Sequence, residues 1–156
     1  MSAPRLKRTA FGLVVASVIS VAGMDVAKAI EPKTASEVAA VNARLLQTEM
    51  MVAALTCDLR PQYNRAVRAF ERELVHHGQV LRTMFKRSYG GGAQRQLDKY
   101  ITRLANDASA RSNRNRVAFC RTAASLFENV LASRSGGFDQ LTERLIQEAA
   151  LPIQAR

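Results

Sequence analysis

From Ala35 to Ala149 the apolar residues of this chain recur three and four positions apart, and the pattern is interrupted only by residues that end helices. That period matches one face of an α-helix and not the alternation of a strand. It restricts the chain to an all-α fold, in which each apolar stripe must be covered by another helix.

Four main helices and a short one follow from the interruptions. The first runs from Ala35 to Cys57, with Thr34 and Glu37 spaced as a capping box. Its stripe is Val38, Val41, Leu45, Thr48, Val52 and Leu55, and the run MMVAAL is apolar all round, which predicts the most buried helix. The second starts at Pro61, a residue suited to a first helical position. It carries Tyr63, Val67, Phe70, Leu74, His77, Leu81 and Met84 inward, and stops at Gly90–Gly92. The third spans Gln94 to Arg111, with Leu97, Ile101, Leu104 and Ala108 inward. Asn113 is the expected cap of a fourth helix, which buries Val117, Cys120, Ala124, Phe127 and Leu131; a single long bent helix covering both is the alternative. Phe138 to Ala149 forms a short amphipathic fifth helix, and 152–156 a frayed tail. Helices this long with short connections pack as antiparallel neighbours, so the expected architecture is an up-down four-helix bundle with a short fifth helix over residues 30–151.

The N-terminus reads separately. Arg5, Lys7 and Arg8 precede an apolar run from Ala10 to Met24, and Ala27-Lys28-Ala29 follows. A basic start, an apolar core and an A-x-A site in that order form a secretory signal peptide. A spanning helix needs about 20 apolar residues, and this run is shorter. Residues 1–29 are therefore expected to be removed on export, to the periplasm or fully outside. Four basic side chains and one acidic one leave with them, so the formal charge of +10 falls to +7 for Ile30–Arg156. That balance predicts anionic partners: lipid head groups, lipopolysaccharide or acidic envelope proteins. Export argues against nucleic acid as a partner.

The chain has two cysteines, Cys57 and Cys120. In an up-down bundle the first helix ends at the pole where the fourth begins, so both fall at similar height. Two cysteines in an oxidising compartment usually pair. The bridge would close a loop of 64 residues, worth roughly 4 kcal/mol in chain entropy. Buried free thiols, a redox pair and metal ligation are the alternatives; the C-x-x-C spacing of a redox pair is absent.

Chemistry-bearing patterns are few. His76 and His77 are the only histidines, and Glu73 precedes them on the same helix. Glu-x-x-His is half of a di-iron carboxylate site, but the second half is missing, so Glu73 and His77 are weak metal candidates. His77 is expected on the core stripe, with Asn42 of the first helix as its partner. The chain has no G-x-S-x-G, H-E-x-x-H, phosphate loop or haem-attachment motif. The expectation is a non-enzymatic protein without a cofactor. The more suggestive group is Arg60, Arg111, Arg114, Arg116 and Arg121, which the topology gathers at the cysteine pole. Arginine forks suit phosphate and carboxylate.

The segments LLQTEMMVAALTC, YN, HHG, TRLANDASARS and FC, spanning Val41 to Leu131, resemble small exported helical proteins of Gram-negative bacteria. The resemblance implies export and a helical domain with paired cysteines, and carries no activity or site residue. The leading expectation is a periplasmic protein that acts by binding another envelope component. A chaperone-like, stress-protective binder and a small metal- or ligand-binding bundle are the alternatives.

Overall fold

A computed structural model describes residues 30–133 and 137–148. The expected signal peptide at 1–29, the link after Ser133 and the expected tail lie outside the described residues. Six α-helices occur among those described: α1 (Ala35–Thr56), α2 (Arg60–Ala69), α3 (Glu71–Tyr89), α4 (Ala93–Arg114), α5 (Arg116–Ala132) and α6 (Phe138–Glu148). A 3-10 turn, Gly90–Gly92, joins α3 to α4, and no strand is present among the described residues. The chain is an all-α helical bundle.

α1 is its spine. Its lower half packs Ala40 and Val41 against Leu81, Met84 and Phe85 of α3 and Leu97 of α4. Its upper half packs Leu46, Met50 and Ala53 against Ala66 of α2, Phe127 and Val130 of α5, and Leu141 and Leu145 of α6. With neighbours on every side, α1 cannot carry a single narrow stripe; this is why MMVAAL is apolar all round. The stripe's two ends miss: Val38 and Leu55 are 43% and 61% exposed. α6 lies across the middle of the bundle. Phe138 at its start meets Phe70, and Ile146 near its end meets Leu45 and Leu104.

The expected second helix is in fact two. Phe70 closes α2 and opens α3 with φ −117° and ψ 25°. It is 1% exposed and its ring lies 4.9 Å from that of Phe138. The break has a packing reason. α2 rests on α5 while α3 rests on α4, and one straight helix could not follow both. Nothing local at Ala69–Glu71, neither glycine nor proline, announces it.

The third and fourth helices are separate, and the cap is Asn115 rather than Asn113. Asn115 has φ −154° and ψ 87°, and its side-chain oxygen accepts from the Ala118 N–H at 3.0 Å. The buried face of α5 is Ala123, Leu126, Phe127 and Val130. Ala124 is exposed and Val117 is 71% exposed, so the expected stripe was out of register in its first turns.

Thr34 caps α1 by accepting from the Glu37 N–H at 3.2 Å. The Glu37 carboxylate in turn accepts from the Lys33 N–H and from Arg87, and the Thr34 backbone also acts on it. At the other end of α1, Asp58 takes the left-handed conformation, φ 59°. The Leu59 N–H then reaches back to the Ala54 carbonyl at 3.1 Å. This is the helix-ending turn that usually uses glycine, and aspartate is among the few residues that tolerate it.

Candidate functional site

The upper pole is where α1 ends, α2 begins, α4 ends and α5 begins. Cys57 closes α1 and Cys120 sits in the second turn of α5; their sulfurs are bonded, with Cα atoms 5.4 Å apart. Arg116, at the first position of α5, donates from Nη2 to the Thr56 carbonyl at 2.6 Å. That carbonyl is one of those left unpaired at the end of α1, where a cation is electrostatically favoured. The disulfide and this bond clamp α5 onto the end of α1.

The five expected arginines divide into three roles. Arg60, Arg114 and Arg121 are exposed and make no ion pair among the described residues. Arg116 is exposed but engaged with Thr56. Arg111 is a correction to the expected patch. Its Nη2 pairs with Glu49 of α1, and the side chains are only 23% and 8% exposed. Burial pushes the Glu49 carboxyl above its usual range, and the Arg111 charge and hydrogen bond oppose that rise. Arg111 thus serves the α1–α4 packing, because Glu49 needs a partner inside the bundle. Beside the surface arginines stand the exposed apolar side chains Leu55 and Val117, two and three residues before the bridged cysteines.

His77 lies on the core side of α3, as expected, but its partner is not Asn42. Its Nε2 donates to Asp139 Oδ1 of α6 at 2.8 Å. Asn42 shares a stripe with Leu45 and Glu49, which meet Leu104 and Arg111 on α4, so it turns away from α3. The position of α6 was not legible from helix spacing, and that hid Asp139. Its one signal is an acidic residue in the first turn of an amphipathic helix, a place where any helix prefers acid.

Glu73, His76, His77 and Asp139 line one cleft of about 340 Å³, together with Arg72, Phe138 and Gln140. The Nε2 of His77 is held by Asp139, while Nδ1 is buried without a hydrogen-bond partner. Among the described residues no group of three or more His, Cys, Asp or Glu is arranged to hold a metal ion. No described helix is long and apolar enough to cross a membrane.

No family model, no curated protein and no solved structure matches this chain.

Proposed function

We propose that this protein is a non-enzymatic, periplasmic helical protein that binds an anionic component of the cell envelope through its upper pole. The observation that carries this reading is the group Arg60, Arg114 and Arg121, exposed and without acidic partners among the described residues, next to exposed Leu55 and Val117. Soluble surfaces expose isolated apolar side chains routinely. Two of them among unpaired arginines on a pole clamped by a disulfide fit a surface carrying phosphate or carboxylate above an apolar layer. The basic start, apolar run and A-x-A site at the N-terminus support export, which would bring such surfaces within reach.

Vesicle flotation tests it. Processed protein is expected to float with phosphatidylglycerol vesicles and not with phosphatidylcholine ones, and to be released by salt as surface charges are screened. Changing Arg60, Arg114 and Arg121 together to Gln should abolish flotation while leaving the circular dichroism unchanged. Flotation by the triple variant equal to that of the parent would remove the reading.

A small-ligand role is the second reading, resting on the cleft between α3 and α6 with Glu73, His76 and Asp139 on its walls. Thermal shifts with divalent cations, compared between the parent and Glu73→Gln, decide it; identical shifts would exclude the cleft.

A further inference from the structure

A second cationic feature lies below the pole, on the seam between α1 and α3. Gly78 is the only glycine in α3, and it sits at that seam beside Arg44. A methyl group placed on Gly78 would lie 3.7 Å from Arg82 Nη1 and 4.0 Å from Arg44 Nη2. Two guanidinium groups from two helices therefore converge over one bare stretch of backbone. Neither forms an ion pair with an Asp or Glu among the described residues. The other titratable groups acting on Arg44 are Tyr63 and Tyr100, phenols rather than carboxylates. Arg44 is largely withdrawn from solvent, and burial first, then the nearby Arg82 charge, lowers its pKa. Arginine does not shed its proton in proteins. The fold thus holds two like charges together with no carboxylate in ion-pair contact with either, an arrangement that costs free energy unless an anion fills it.

The surroundings describe the anion. Arg44 and Arg82 open into a cleft of about 250 Å³ whose other walls include Val67, Leu74 and Val75. Val75 is 54% exposed. Along α3 the order is Arg82, Gly78, then Val75 and Leu74, then Glu71. At 1.5 Å per residue Glu71 stands about 10 Å from Gly78. The cleft is positive at one end, apolar in the middle and negative at the far end.

We propose that this cleft binds an amphiphile with an oxyanion head. The carboxylate or phosphate sits over Gly78 between Arg44 and Arg82, and the first methylenes of its tail lie along Leu74, Val75 and Val67. The absence of a side chain at Gly78 gives the head its room, and Glu71 excludes a second anionic group from the tail end. This site is independent of the upper pole, since it shares no residue with it.

Isothermal titration of the lipid-free, processed protein tests the proposal, with decanoate, decyl phosphate, decyl maltoside and inorganic phosphate as probes. Decanoate and decyl phosphate are expected to bind and the other two to bind at least tenfold more weakly. Arg82→Gln should weaken decanoate binding about tenfold or more, as expected for loss of a hydrogen bond to a charged group. Gly78→Leu should abolish it, and Arg60→Gln at the pole should leave it unchanged. Arg82 is exposed, so its variant keeps the test valid even where Gly78→Leu disturbs folding. Equal affinity of Arg82→Gln and the parent for decanoate would overturn the site. Decyl maltoside binding as tightly would overturn the anionic head, and inorganic phosphate binding as tightly would overturn the apolar tail. No binding of either anionic amphiphile would overturn the proposal whole. Loss of vesicle flotation with intact decanoate binding, or the reverse, separates this site from the pole.

Discussion

Glu37 shows how much a single residue can depend on the rest of the molecule. From sequence it is the last residue of a capping box that Thr34 opens. In the fold it is 6% exposed and receives both arms of Arg87 from the far end of α3, with Nη2 at 3.0 Å, as well as the Lys33 N–H at 2.7 Å. These donors, Arg87 first, hold its carboxyl down at about 2 from an ordinary 4.5. The unfolded chain takes up this proton at higher pH than the folded chain does. The stability Glu37 contributes is therefore complete above 4.5 and is lost as pH falls through about 2. Urea midpoints measured across that interval should fall more steeply for the parent than for Glu37→Gln, which has no such proton to take up. Parallel profiles would mean that the Arg87 contact is not maintained in solution. Glu49 stands in contrast: burial raises its carboxyl, and the charge and hydrogen bond of Arg111 offset that rise only in part.

The helices themselves were legible wherever a cap, a proline or a glycine marked them. Thr34, Pro61 and the three glycines at 90–92 stand at element ends, where they were expected. The errors have two sources. The segment from Arg111 to Arg116 offers two asparagines with equal capping chemistry, and the local sequence does not choose between them; in the fold Asn115 accepts from the Ala118 N–H. Asn115→Ala is expected to lower stability by about 1 kcal/mol, the usual worth of such a cap. Asn113→Ala, exposed and inside α4, should change it by less than about 0.5 kcal/mol, as surface changes do. Chemical denaturation of the two variants decides between them, and the opposite order would restore the sequence-based cap. The break at Phe70 has no local cause at all. A phenylalanine suits a helix interior well enough, and the chain bends there because α5 and α4 diverge and Phe138 is available to cover the ring.

For the whole molecule the disulfide is the decisive long-range bond. It joins the end of the central helix to the helix that returns beside it, across 63 positions of sequence. The lower core of α1, α3 and α4 does not include α5, whereas the upper core needs it. Cys57→Ser with Cys120→Ser is therefore expected to lower stability by roughly 4 kcal/mol through the freed loop. The loss should concentrate in α2, α5 and the upper half of α1. Hydrogen exchange of the double variant reads this directly: faster exchange in those segments, with α3 and α4 still protected, is the expected pattern. Uniform loss of protection would show that the two cores do not differ in their reliance on the bridge.

The sequence by itself determined the helical class, most helix ends and the pairing of the two cysteines. These follow from period, from capping chemistry and from the parity of an up-down chain, all of which are local or topological. Only the tertiary structure decided the bend at Phe70, the placement of α6, the partners of His77 and Arg111, and the meeting of Arg44 with Arg82 over Gly78. Each of those depends on the relative rotation of packed helices, and a difference of one residue in that rotation, about 100° around the axis, exchanges a buried neighbour for an exposed one.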